Sequence, residues 1–247
     1  MTPAHRYALY LAPPAPWYDV GSKWLGRCAD TGRMLPRAAD ADPRIPAWTA
    51  EPRRYGLHAT LKPPFRLREA TSPEALDRAT RGLAAALEPF AVPVRRRRLR
   101  GFLAWCLDDD EGARQRMRAL ADAGVQALEP FRAPPTPAEQ ARRLASPLGE
   151  AERAMLERWG YPYVFDTFTF HMTLTGRLGD AELERADTLL GALEPGALAG
   201  PMPVESISLY VQPLPDTPFV IARHYGLGAG GRTRDGIGAG FLPASAS

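Results

Sequence analysis

The sequence predicts an α+β protein made of two similar lobes. Three observations point there. A strand pattern at residues 54–62 leads to a helix ending in Ala86-Leu87-Glu88-Pro89, and further strands follow. A strand pattern at 165–175 leads to a helix ending in Ala192-Leu193-Glu194-Pro195, again with strands after it. The third observation is composition: the 247 residues are 45% hydrophobic, enough for a substantial core.

The elements follow in order. Residues 6–11 form a short strand closed by Pro13, Pro14 and Pro16. One or two helical turns are expected over 17–25. The stretch 29–52, rich in Pro, Asp, Ala and Arg, reads as a long loop. The strand at 54–62 stops at Pro63 and Pro64. Thr71 or Ser72 then caps a helix with Pro73 in its first turn. Residues 91–98 and 102–107 form a strand pair bent at Gly101. Asp108 to Asp110 open the next helix, which runs to about Leu128.

A helical insertion is expected over about 132–160. Thr136-Pro137-Ala138-Glu139 has the form of a capping box, Ser146-Pro147 opens a second helix, and Gly160 ends it. The strongest strand pattern spans 163–175. Asp180 begins a helix to Leu193, and strands follow at 204–211 and 219–223. The domain is thus read as 1–225, and residues 226–247 as a Gly-rich, flexible tail.

Composition excludes several classes. No stretch approaches the roughly 20 apolar residues of a membrane span, and the first residues lack a secretory apolar run. A soluble cytoplasmic protein is expected. Cys28 and Cys106 have no motif partner, so neither a disulfide framework nor a zinc site is implied. Net charge is +3 with pI near 9.0. Of 31 basic residues only Lys23 and Lys62 are lysines, so arginine number alone carries little. The Arg95 to Arg98 run lacks interleaved aromatics for base stacking; nucleic acid is a partner the sequence allows but does not favour. The run Gly226-Leu227-Gly228-Ala229-Gly230-Gly231 has the letters of a dinucleotide fingerprint but no helix pattern after it.

The chemistry-bearing pattern is a pair of His-x-Thr motifs. His58 and Thr60 lie in one strand, His171 and Thr173 in the other. Residues i and i+2 of a strand share a face, so each imidazole projects beside a hydroxyl. Leu57, Ala59 and Leu61 point oppositely into a core, as do Phe170, Met172 and Leu174. Two imidazoles can divide acid and base roles near neutral pH. Two hydroxyls can donate to nonbridging phosphate oxygens. Lys62, placed on the His58 face by alternation, is a candidate for a second phosphate. Arg132 and Tyr163 are candidates for the insertion side of the cleft. No cluster has metal-ligand spacing, so neither a metal nor any other cofactor is expected.

The paired motifs resemble the two-histidine (2H) phosphoesterase superfamily. More narrowly, residues 53–65, Gly101-Phe102-Leu103-Ala104, Phe131-Arg132-Ala133-Pro134, Trp159-Gly160-Tyr161-Pro162-Tyr163 and residues 170–176 resemble a branch found with carbon–phosphorus lyase operons. The resemblance spans roughly residues 6–225. It implies a bilobal fold, two pseudo-symmetric lobes with antiparallel sheets and flanking helices around a central cleft. It implies His58 and His171 as the catalytic pair, and Thr60 and Thr173 as phosphate ligands. The expected function is a metal-independent phosphoric diester hydrolase. It would open a small ribose cyclic phosphate of phosphonate metabolism, one His activating water and the other protonating the leaving oxygen. The alternatives are an RNA-end 2′,3′-cyclic phosphodiesterase and a noncatalytic phosphate- or RNA-binding protein. Oligomeric state is left open.

Overall fold

The structure is a computed structural model that describes residues 3–37, 41–145, 147–194, 196–198 and 200–244. In chain order the elements are β1 (Arg6–Leu11), α1 (Trp17–Leu25), α2 (Ile45–Trp48), α3 (Ala50–Arg53), β2 (Ala59–Phe65), α4 (Pro73–Ala85), β3 (Phe90–Val92), β4 (Val94–Leu99) and β5 (Phe102–Leu107). They continue with α5 (Glu111–Leu128), α6 (Pro137–Leu144), α7 (Glu150–Trp159), β6 (His171–Thr173), α8 (Asp180–Leu193), β7 (Met202–Val204), β8 (Ser206–Gln212), β9 (Val220–Gly226) and β10 (Thr233–Asp235).

The fold is α+β around one large antiparallel sheet, in the order β10-β9-β8-β1-β2-β6-β5-β4. Where the sequence reading expects two lobes, all eight strands join in a single sheet. The join at its centre is narrow: between β2 and β6 only Ala59 and Met172 are in register. β3 and β7 form a separate two-stranded sheet.

Local signals account for many boundaries. The Ser72 hydroxyl accepts from the Ala75 N–H and caps α4. Asp110 does the same for α5 through the Ala113 N–H, at 2.8 Å. Thr136 and Glu139 form the capping box of α6. α7 begins at Glu150 after Gly149; Ser146 lies outside the described residues. The β4–β5 hairpin turns on Arg100 and Gly101, both at positive φ (49° and 88°), the two-residue turn that matches strand twist.

Other boundaries move. Residues 50–53 are helical and the strand begins at Ala59, running through Pro63 and Pro64 to Phe65. β6 keeps only His171–Thr173 of the long pattern, because Phe165–Thr167 is a 3-10 turn tied by the Thr167 hydroxyl. The loop at 29–52 contains α2 and α3. Residues 233–235 of the Gly-rich tail pair with β9 as an edge strand. Arg234 and His224 both hold Asp30, which ties this edge to the loop after α1.

The main core lies on one sheet face. Leu9, Leu57, Leu61, Met172 and Trp105 pack there against Leu76 of α4, Met117 and Leu120 of α5 and Leu190 of α8. A smaller aromatic cluster, Tyr10, Tyr210, Phe219 and Ile221, covers part of the other face. Among the described residues no helix is long and apolar enough to cross a membrane.

Asp77 of α4 stitches the β9 side of the core. It is 4% exposed and accepts from Arg223 at 2.7 Å and from the Tyr225 hydroxyl at 2.6 Å. Removing one partner of a buried ion pair strands the other's charge. Asp77→Ala should therefore lower unfolding free energy by about 3 kcal/mol or more, read as a fall in the urea midpoint. A midpoint equal to wild type would show that the pair adds nothing to the fold.

Candidate functional site

Adjacency in the sheet brings the two motifs together. β2 and β6 are antiparallel neighbours, so His58 and Thr60 lie beside His171 and Thr173 on the face away from the helices. All four line one cavity of about 370 Å³. Leu57, Ala59, Met172 and Leu174 are fully buried on the opposite face, as the alternation requires. Among the described residues neither threonine hydroxyl has a hydrogen-bond partner.

Both imidazoles are held by the same device. His58 Nδ1 lies 2.8 Å from the Gly56 carbonyl, and His171 Nδ1 lies 3.0 Å from the Thr169 carbonyl. A carbonyl only accepts, so Nδ1 carries the proton in each ring and Nε2 is left free. The anchor is two residues back in both cases. Tyr10 stacks on His58 with centroids 3.9 Å apart. Burial pushes the His58 pKa down to about 4, against the Gly56 hydrogen bond and with a small push from His171. Burial also lowers His171, helped by the Arg100 charge. Both rings are therefore neutral at pH 7.

The other sequence candidates lie elsewhere. Lys62 is 1% exposed on the core face, with Nζ 3.0 Å from the Val125 carbonyl and 2.8 Å from Glu129. The reason is a shift in the β1–β2 register: Tyr10 pairs with Thr60 but Leu9 pairs with Lys62. The extra residue ends the alternation, and Leu61 and Lys62 are both buried. Arg132 is clamped by the same Glu129 carboxylate, at 2.6 Å. Tyr163 stands edge-on behind Tyr161 and beneath the Arg100 guanidinium. None of the three lines the cavity.

Sequence reasoning missed Tyr10, Tyr55, Tyr161, Glu51, Phe102 and Arg177, which do line it. They come from separate segments, so no local spacing marks them. Arg177, three residues past the second motif's Leu174, is exposed and has no ion pair among the described residues. Several other arginines do. Arg95 and Arg97 meet Asp108, and Arg96 meets Asp187 and Glu194, so the run at 95–98 is largely neutralised by its own surroundings. A larger cavity of about 500 Å³ beside Arg97 and Arg98 is lined also by Arg114 and Arg118. Those two are held by Asp109, Glu111, Asp122 and Asp166. The smaller cavity is the better candidate because its hydroxyls, imidazole nitrogens and guanidinium are free.

Known proteins add a further constraint. Residues 60–220 match the family described as protein of unknown function (DUF1045). A protein from Janthinobacterium sp. (strain Marseille) named ribose 1,5-bisphosphate phosphokinase PhnN is 36% identical over 225 residues, covering 87% of this chain and 49% of that protein. Its namesake from Laribacter hongkongensis (strain HLHK9) is 37% identical over 225 residues, covering 88% of this chain and 51% of that protein. The chain thus spans about half the length of the curated relatives it matches. Their name corrects the expected reaction. A phosphokinase transfers a phosphoryl group, which conflicts with a phosphoric diester hydrolase opening a cyclic phosphodiester.

Two measurements check the site's electrostatics. The unfolded chain takes up a proton at His58 near pH 6.5, whereas the folded chain resists until about pH 4. Stability from this group is whole above pH 6.5 and is lost as pH falls from there toward 4. The urea midpoint should fall across that window, and His58→Phe should flatten the fall; an unchanged slope would deny the burial effect. For Lys62, the ion pair predicts that Glu129→Ala costs about 3 kcal/mol by stranding a buried ammonium, while Lys62→Met is near neutral. Equal losses from both changes would contradict this account.

Proposed function

This chain belongs to the DUF1045 family, and we propose that its two-histidine cleft binds a phosphorylated ribose and manages protons during phosphoryl chemistry in phosphonate metabolism. One observation carries the reading. Two His-x-Thr pairs, on adjacent antiparallel strands, open into one cavity with their hydroxyls unpartnered. A phosphate group offers acceptor oxygens to both hydroxyls, and the free Arg177 adds charge at the same cavity. The relatives' name supports ribose bisphosphate as the ligand type and supports the link to phosphonate metabolism. The resemblance to the two-histidine superfamily supports a phosphate placed between the imidazoles.

Each residue then has a defined task. Thr60 and Thr173 donate O–H bonds to phosphate oxygens. The neutral Nε2 atoms of His58 and His171 accept a proton from the phosphate or from a sugar hydroxyl. An incoming phosphate dianion favours the protonated ring, so proton uptake accompanies binding. The phosphokinase activity in the relatives' name is ascribed to the part of them that this chain does not span. Here the glycine-rich run at 226–231 forms the β9–β10 connection, not a loop opening a helix.

The test is calorimetric titration with ribose 1,5-bisphosphate, ribose 5-phosphate and inorganic phosphate. Both sugar phosphates should bind more tightly than phosphate alone. Thr60→Val and Thr173→Val should each weaken binding about tenfold or more, the worth of one hydrogen bond to a charged group. Absence of binding, or threonine variants that bind like wild type, would overturn the proposal.

A further inference from the structure

One group in the cleft is costly to bury and is left unused by the fold. Tyr10 is 1% exposed, yet its hydroxyl makes no hydrogen bond among the described residues. Buried tyrosine hydroxyls ordinarily find a partner. Some side-chain polar atoms among the described residues are sealed from solvent without a hydrogen bond, and the Tyr10 oxygen is not one of them. The oxygen therefore opens onto the cavity that Tyr10 lines. Its ring is fixed on both sides, by the His58 stack at 3.9 Å and by Tyr210 at 4.9 Å.

Two further phenols converge there. Tyr55 and Tyr161 line the same cavity and lie close enough to act electrostatically on the Tyr10 hydroxyl. Neither hydroxyl has a hydrogen-bond partner among the described residues. The three come from β1, the turn after α3 and the segment after α7, so separate parts of the chain deliver one chemistry to one place. Burial holds Tyr10 and Tyr161 protonated, the latter with its pKa pushed up to about 12, so both stay neutral O–H donors. Neutral donors on a flat aromatic wall suit uncharged sugar oxygens better than they suit phosphate, which the threonines and Arg177 already serve.

We propose that Tyr10, Tyr55 and Tyr161 form the pentose subsite of the cleft, with the Tyr10 hydroxyl donating to a sugar oxygen beside His58. This rests on the phosphorylated-ribose reading above. The wall makes the site select a sugar phosphate over a bare phosphate, and Tyr10 is a binding and positioning residue.

The experiment uses Tyr10→Phe and Tyr161→Phe, which keep ring, stack and volume and remove only the hydroxyl. Calorimetry on each reads ribose 5-phosphate and inorganic phosphate, with Thr173→Val as the phosphate-side reference and thermal melting as the fold control. Tyr10→Phe should weaken ribose 5-phosphate about tenfold, leave inorganic phosphate within about twofold, and melt no lower than wild type. Thr173→Val should weaken both ligands. If Tyr10→Phe binds ribose 5-phosphate like wild type while Thr173→Val loses affinity, the pentose subsite is wrong and the phosphate reading stands. Equal losses for both ligands would place the Tyr10 hydroxyl on the phosphate and likewise overturn the subsite. A wild type that binds neither ligand overturns the underlying reading and the subsite together.

Discussion

The cleft depends on one narrow pairing. Only Ala59 and Met172 are in register where β2 meets β6, yet that contact joins the two halves of the sheet. Antiparallel neighbours share a face, so the residues flanking this pair, His58 with Thr60 and His171 with Thr173, must converge. Ala59 and Met172 are themselves buried in the main core, which holds the join against the helices. A one-residue slip there would turn the slipped strand's imidazole into the core and expose that strand's apolar side chains.

Convergence alone would leave two ordinary histidines. The aromatic cluster on the open face changes their chemistry. Tyr10, Tyr55 and Tyr210 pack around His58 and withdraw it from water, so the neutral ring is favoured. The backbone then sets which nitrogen is free, through the Gly56 and Thr169 carbonyls. Both effects lie outside the motif: one comes from β1, β8 and the turn after α3, the other from main-chain atoms two residues upstream. The result is a pair of proton acceptors facing a cavity whose hydroxyl donors are not yet engaged.

Cations show the same division between fold and site. In an arginine-rich chain many guanidinium groups are neutralised where they stand, as Arg96 is by Asp187 and Glu194 and Arg223 by Asp77 and Asp235. Lys62, the one lysine near the motif, is spent on Glu129 inside the core. What matters for an anionic ligand is the cation left without a carboxylate, and at the cleft that is Arg177. Relatives about twice as long as this chain carry a phosphokinase name.

Short-range physics made much of this legible. The caps at Ser72, Asp110 and Thr136, the turn at Arg100-Gly101 and the two-residue period around each His-x-Thr motif are determined by neighbouring residues, and sequence alone locates them. A repeated strand–helix–strand order does not say whether the strands join in one sheet, and here eight of them do. Lys62 leaves the face that alternation assigns it because a shift in strand register depends on how β1 meets β2, which alternation within β2 cannot report. The tyrosine wall was invisible for a related reason: Tyr10, Tyr55 and Tyr161 are far apart in the chain, and only the packing of β1 and the two loop segments over the sheet brings them together. Sequence determined which residues could do the chemistry; tertiary structure decided which of them are buried, which are already paired, and which remain free to meet a ligand.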